Sequence, residues 1–149
     1  MSSGILEVLI VDGKQLKRTD LFSKIDPYVV VRYGNQERKT RVLREQGSNP
    51  MWNETLTFML DHPARVNDQH KISFRIMDKD TFSSDDFVGD AVMYAKDIIT
   101  LGLEKGVAHL PPSKYRVVLN NQDYYGEIQV GVTFTKKVQQ ETRVLSVYI

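Results

Sequence analysis

Apolar and polar residues alternate with a period of two along most of this chain. Such alternation places the apolar side chains on one face of a strand and predicts strands with a single buried face. β-Branched and aromatic residues fill these segments, and Gly, Pro, Asn and Asp separate them. The pattern predicts eight strands, at residues 5–11, 28–33, 37–43, 52–60, 71–76, 87–93, 115–119 and 126–134.

One segment follows the helical period instead. The spacing of Ile98, Ile99 and Leu103 predicts a short helix between residues 95 and 105, and Pro111-Pro112 is expected to end an irregular stretch after it. Eight short strands separated by turn residues are typical of an all-β protein. We therefore predict an eight-stranded antiparallel β-sandwich built from two sheets.

Length and composition narrow the class of protein. The 149 residues fit one domain, which we assign to residues 1–135, followed by a tail at 136–149 that we expect to be partly disordered. The chain shows no apolar run long enough to span a membrane and no signal peptide, which predicts a cytoplasmic protein. The absence of cysteine excludes disulfides, thiolate zinc sites and a cysteine nucleophile. A net charge of +1 leaves electrostatic function to local patches.

Carboxylates are concentrated in two of the turns. Asp20 and Asp26 flank one turn, and Asp78, Asp80 and Asp86 lie in another. Aspartate is a common turn residue, so each one alone has a simple structural explanation. Several carboxylates held close together repel one another unless a cation neutralises them, and Ca²⁺ prefers six to eight oxygen ligands. The clustering therefore predicts a calcium site.

Three segments of the chain resemble the signature segments of a C2 domain. They are Asp20-(x)5-Asp26-Pro27-Tyr28-Val29, the stretch from Asn49 to Glu54, and the stretch from Asp78 to Gly89. The resemblance runs from about Ile5 to Phe134 and implies a sandwich of the type II strand order with its calcium loops at one end. The single-domain layout is similar to that of small plant C2 proteins of the elicitor-responsive and phloem types, which implies a role in defence signalling.

The resemblance also implies a ligand set for calcium. The residues it assigns are the carboxylates of Asp20, Asp26, Asp78, Asp80 and Asp86, the side chain of Ser83, and the carbonyl groups of Thr19 and Lys79. Asp85 competes with Asp86, because strand alternation lets only one of them face the ion. The position of Asp86 directly before Phe87-Val88-Gly89 favours Asp86. Lys24 departs from the family pattern and is expected to weaken cation binding.

Apolar and basic residues near these loops suggest contacts with a membrane. Leu21, Phe22 and Phe82 lie next to the ligands, and they either insert into a bilayer or fold back onto the bases of the loops. The basic residues Arg32, Lys39, Arg41 and Arg44 form either a phosphoinositide-binding surface or a solvated strand face.

Together these features predict a calcium-dependent phospholipid-binding module. We expect a cytoplasmic monomer that binds anionic lipid at the plasma membrane when calcium rises. The alternative is a module that binds a protein or RNA partner and for which calcium is secondary. His62, His70 and His109 lie in unrelated contexts, and the chain has no Gly-rich phosphate loop and no nucleophile elbow, so we predict that it is not an enzyme.

Overall fold

The computed structural model describes residues 3–61 and 69–138. Within these residues the strands are β1 (Ser3–Lys14), β2 (Pro27–Tyr33), β3 (Gln36–Lys39), β4 (Met51–Leu60), β5 (Lys71–Asp78), β6 (Asp86–Tyr94), β7 (Val107–Val118) and β8 (Tyr124–Lys137). One helix, α1 (Lys96–Lys105), connects β6 to β7. In the described part of the chain this ten-residue helix is neither long enough nor apolar enough to cross a bilayer.

The strands pair antiparallel in the order β3-β2-β5-β6-β7-β8-β1-β4. The ladder between β6 and β7 holds a single residue pair, Asp90 with Val118. The ladder therefore opens at this point into two four-stranded sheets, β3-β2-β5-β6 and β7-β8-β1-β4. β1 leads directly into the loop that carries Asp20, in agreement with the predicted strand order. The predicted all-β antiparallel sandwich is confirmed.

The core lies between the two sheets and follows the alternation in the sequence. Trp52 and Phe58 from β4, Phe74 from β5 and Phe134 from β8 have no exposed surface. Their neighbours along each strand point outward, as the period of two requires. Burying a large apolar side chain contributes about 1.5–3 kcal/mol, so this layer accounts for much of the driving force for folding.

Two strands differ from the prediction because of contacts with distant residues. Pro111-Pro112 lies inside β7, at a register shift between Leu110 and Ser113, and does not end an irregular stretch. Proline has no N–H for the ladder, and a bulge accommodates it while β7 keeps pairing with β8 on both sides. β3 ends at Lys39, and beyond it side chains replace ladder partners: the Val29 N–H of β2 donates to the Thr40 hydroxyl (2.9 Å) and the Arg41 N–H to the Glu54 carboxylate (2.9 Å).

The predicted boundary between domain and tail falls inside a strand. β8 continues to Lys137, where it still pairs with Ser3 of β1. The tail from residue 139 onward lies outside the described residues, as does His62.

Replacing Gly89 should test how closely the sheets approach. A Cβ atom at this position would lie 2.2 Å from Cγ1 of Val117 in β7, beside the single pair that joins the two sheets. We expect Gly89→Ala to lower the free energy of unfolding by about 1–3 kcal/mol, as overpacking does elsewhere. Urea denaturation measures this. The exposed Val92→Thr change in the same strand is the control, with an expected effect within about 0.5 kcal/mol. Equal stability of the two variants would contradict the close approach.

Candidate calcium site at the loop end

Strand pairing brings the two acidic turns together. We call residues 15–26, between β1 and β2, the first acidic loop, and residues 79–85, between β5 and β6, the second acidic loop. Pro27 of β2 pairs with Asp78 of β5, and Asp78 pairs with Asp86 of β6. Asp26, Asp78 and Asp86 therefore lie at the same end of three adjacent strands, as the sequence predicted from turns some fifty residues apart.

Asp78 connects the two acidic loops through its carboxylate. Its side chain accepts hydrogen bonds from the Thr19 hydroxyl (2.5 Å) and from the Asp26 backbone N–H (2.8 Å). The Lys79 N–H donates in turn to the Asp26 carbonyl (3.0 Å). Asp78 is only 9% exposed, so these donors replace the water that an ionised carboxylate would otherwise bind.

Asp20 and Asp80 occupy equivalent positions, each at the start of an exposed loop tip. Asp20 accepts hydrogen bonds from the Phe22 backbone N–H (2.9 Å) and the Ser23 hydroxyl (3.1 Å). Asp80 accepts from the Phe82 backbone N–H (2.9 Å) and the Ser83 hydroxyl (2.7 Å). These bonds, with the backbone N–H first in each case, hold the pKa of both carboxyl groups below the usual value. Both side chains are therefore ionised near neutral pH.

Asp85 and Asp86 point in different directions. Asp85 accepts hydrogen bonds from the Asp80 backbone N–H (3.0 Å) and from the Tyr28 hydroxyl. The Asp80 N–H, followed by the Tyr28 hydroxyl, lowers the pKa of Asp85, whereas burial and Asp85 together raise the pKa of Tyr28 to about 12. Asp86 is exposed at the start of β6. Asp85 thus braces the second acidic loop against β2 and leaves Asp86 as the outward carboxylate of the pair.

A third segment, at residues 44 and 45, also contacts this site, which the sequence does not predict. The Glu45 backbone N–H donates to Asp26 (2.6 Å), and Arg44 lies 3.6 Å from the same carboxylate. Glu45 adopts a positive φ of 53°, which turns its N–H toward the site. No local motif in the sequence around Glu45 indicates this contact.

The chemistry of these side chains suits calcium, although they do not converge on a common point. All the candidate side-chain ligands are oxygen donors, which a hard cation prefers. Among residues 3–61 and 69–138, no three Asp, Glu or His side chains are placed so that they could hold a metal ion. Asp20 and Asp80 instead face the N–H groups of their own loops. The oxygen-donor chemistry of the set therefore fits Ca²⁺, while Asp20 and Asp80 are oriented toward their own loops.

The apolar residues at the loop tips are almost fully exposed to solvent. Leu21 is 86% exposed, Phe22 95% and Phe82 97%. They do not fold back onto the bases of the loops. All three lie within two residues of Asp20 or Asp80, so an apolar tip and an acidic cluster occupy the same end of the sandwich.

The four predicted basic residues are divided between two places. Arg32 and Lys39 line a groove of about 400 Å³ on the outer face of the β3-β2-β5-β6 sheet, where Arg32 pairs with Glu37 at 2.7 Å. Arg41 instead donates to the Trp52 carbonyl (2.6 Å), and Arg44 lies beside the acidic cluster. The structure therefore does not bring the four together as one basic surface.

Comparisons with known proteins agree with this architecture. The family model of the C2 domain matches residues 4–110. Elicitor-responsive protein 1 of Oryza sativa subsp. japonica is 49% identical over 142 residues, covering 93% of this chain and 89% of the relative. The 16 kDa phloem protein 1 of Arabidopsis thaliana is 44% identical over 136 residues, covering 91% of this chain and 86% of the relative.

Solved structures share the same fold. A C2 domain-containing protein from a putative elicitor-responsive gene superposes with a TM-score of 0.69 at 30% identity, covering 95% of this chain and 96% of the other. The calcium-bound pair of C2 domains from Extended-Synaptotagmin 2 gives a TM-score of 0.67 at 20% identity, covering 90% of this chain and 46% of theirs. The sandwich, the loops joined through Asp78 and these matches lead to one conclusion: the chain belongs to the C2 domain family.

Proposed function

We propose that this chain is a calcium-dependent phospholipid-binding module. One observation carries the proposal: the exposed side chains of Leu21, Phe22 and Phe82 lie at the same end as five clustered carboxylates. Exposed apolar side chains are unfavourable in water, and their burial becomes favourable when this end of the sandwich meets a bilayer. The carboxylates oppose that contact with an anionic leaflet until a cation neutralises them.

The residues that would hold the ion are Asp20, Asp26, Asp78, Asp80 and Asp86, with Ser83 and the carbonyl groups of Thr19 and Lys79. Bound calcium would supply positive charge and open coordination positions for lipid phosphate oxygens. Asp85 keeps the second acidic loop in place from the side through Tyr28 and Asp80. The ion would compete with the hydrogen bonds that these carboxylates accept, which include those from Phe22 and Phe82 at the loop tips. Asp26 and Asp78 also accept hydrogen bonds, from the Glu45 N–H and the Thr19 hydroxyl.

The named relatives support a signalling role and not a catalytic one. Their names refer to an elicitor response and to phloem, and none of those reported above is an enzyme name. We propose that the protein is cytoplasmic and monomeric, that it moves to the anionic plasma membrane when calcium rises, and that it takes part in a defence response. Leu21, Phe22 and Phe82 enter the bilayer in this proposal.

Neutralising the two tip carboxylates should separate calcium binding from folding. In Asp20→Asn with Asp80→Asn, each side chain keeps an oxygen for its loop N–H but loses its charge. We expect calcium-dependent co-sedimentation with phosphatidylserine vesicles to disappear. Calcium should also no longer raise the melting temperature. In the wild type it should stabilise the fold by about 2.7 kcal/mol at a hundredfold excess over Kd.

The matched control is Asp97→Asn with Glu104→Gln, which removes two exposed charges from α1. It should bind vesicles and respond to calcium like the wild type. Undiminished calcium-dependent vesicle binding by the Asp20→Asn, Asp80→Asn variant would contradict the assignment of these residues as metal ligands.

Truncating the apolar tips should weaken membrane binding at every salt concentration. Each of Phe22 and Phe82 is expected to contribute about 1.5–3 kcal/mol if fully buried, and apolar burial depends little on ionic strength. We expect Phe22→Ala with Phe82→Ala to lose this contribution in vesicle co-sedimentation across a salt series. The calcium-induced rise in melting temperature should stay, because neither side chain is a ligand.

Tyr94→Ala with Leu101→Ala is the control for these apolar truncations. Both side chains are exposed, at 59% and 40%, and lie at the opposite end of the sandwich. If the tip variant and this control bind equally well, the loops do not insert.

A further inference from the structure

A second surface at the loop end combines aromatic and basic side chains and lies on the opposite sheet from the groove. We call it the hairpin flank. It consists of Lys14, Lys17, Arg116, Tyr124 and Tyr125, where the end of β1 meets the β7–β8 hairpin. None of these residues belongs to the acidic cluster or to the predicted basic patch.

A bulge exposes both tyrosines of the hairpin flank. Consecutive strand residues normally point to opposite faces, so one of Tyr124 and Tyr125 would be expected in the core. The register of β7 and β8 shifts here, and Gly126 adopts a φ of +84°. A Cβ atom at Gly126 would lie 2.6 Å from the Gln15 carbonyl oxygen, so only glycine allows this close approach. Tyr124 remains 64% exposed and Tyr125 46%.

A basic side chain lies over the ring of each tyrosine. The Lys17 ammonium lies 5.0 Å from the centre of the Tyr125 ring, and the Arg116 guanidinium lies 5.2 Å from that of Tyr124. A contact with a ring face positions a cation without cancelling its charge. Within residues 3–61 and 69–138, neither Lys17 nor Arg116 forms an ion pair with a carboxylate.

The balance of charge on this surface is positive. In the strand register, Glu127 lies opposite Lys14 of β1 on one side and opposite Arg116 of β7 on the other. The side chains of these three residues therefore share one face of the sheet. Glu127 itself lies 3.6 Å from Lys114. The basic side chains around the hairpin are Lys14, Lys17, Arg18, Lys114 and Arg116, and the acidic ones are Asp123 and Glu127. Two more carboxylates of β6 border it: Asp86, and Asp90, which pairs with Arg75 (3.0 Å).

The hairpin flank is continuous with the proposed membrane-binding tip. Arg18 borders both and donates to the carbonyls of Leu21 (3.0 Å) and Ser23 (3.4 Å). A tip that enters a bilayer brings this side surface to the level of the lipid headgroups. Tyrosine is enriched at that level because its ring is apolar and its hydroxyl is polar. Lysine and arginine there attract anionic headgroups.

We propose that the hairpin flank is a second membrane-contacting surface, which lies against anionic lipid headgroups beside the inserted tips. The inference rests on the proposed lipid-binding function and adds an orientation to it. The β7-β8-β1-β4 sheet then tilts toward the bilayer, and the groove on the other sheet tilts away.

Removing charge from the hairpin flank tests the proposal. Lys17→Gln with Arg116→Gln keeps much of the length of both side chains over the rings but removes their charges. Each basic residue near an anionic surface strengthens binding roughly fivefold. We expect binding to phosphatidylserine vesicles in saturating calcium to weaken roughly 25-fold at low salt, and less as salt screens the surface. The calcium-induced shift in melting temperature without lipid should not change.

Lys96→Gln with Lys105→Gln is the matched control. It changes the net charge by the same amount, on exposed residues of α1 at the opposite end. This variant should bind vesicles like the wild type. Equal binding by the flank variant and the control would overturn the proposal while leaving calcium-dependent binding intact.

A fluorescent label measures the orientation directly. Because the chain has no cysteine, Asn120→Cys in the exposed hairpin or Lys105→Cys in α1 each provides a single site for an environment-sensitive dye. With calcium and phosphatidylserine vesicles, we expect a blue shift at residue 120 and none at residue 105. No shift at residue 120 while the protein co-sediments would overturn the orientation.

Further outcomes separate this inference from the proposed function. If the wild type fails to bind vesicles with or without calcium, both proposals are wrong. If it binds without calcium and the flank variant loses that binding, the hairpin flank stands and the calcium mechanism does not. If the flank variant loses only binding to a labelled single-stranded RNA, the surface accommodates nucleic acid and the lipid assignment is overturned.

Discussion

Asp78 joins the two acidic loops, and the geometry of the whole loop end depends on its carboxylate. It is the last residue of β5, paired with Pro27 on one side and with Asp86 on the other. Its two oxygens accept the Thr19 hydroxyl and the Asp26 N–H, both from the first acidic loop. A buried carboxylate with two donors resists displacement, because each lost bond leaves a charged group unsatisfied. The second acidic loop therefore keeps its position relative to the first.

Hydrogen bonds from backbone N–H groups offset the repulsion among the other carboxylates. Asp20, Asp80 and Asp85 each accept at least one backbone N–H, and each has a lowered pKa as a result. The loops can thus hold several ionised groups close together without a cation. A cation bound here, as proposed, would compete with these hydrogen bonds, and its affinity would be the difference between coordination and the bonds released. Asp85 accepts the Tyr28 hydroxyl and so attaches the second acidic loop to β2.

Charge is segregated over the surface although the net charge is only +1. The carboxylates gather at the loop end, the groove with Arg32 and Lys39 occupies one sheet, and the hairpin flank occupies the other. The acidic loop end repels an anionic bilayer, whereas the basic residues on both sides of it attract one. Neutralising the acidic cluster would leave apolar tips flanked by positive charge, which is a surface complementary to anionic lipid.

Most of the strands, their buried faces and the position of the acidic turns follow from the sequence alone. These features depend on local periodicity and turn chemistry, which a few neighbouring residues encode. The groups that those residues contact, in contrast, depend on how the chain folds. The bulge at Gly126, the course of β7 through Pro111-Pro112 and the attachment of Arg44 to Asp26 all depend on partners far away in the chain. Alternation predicts one face for a side chain, but a bulge or a long-range hydrogen bond reverses it, and neither leaves a local signal in the sequence.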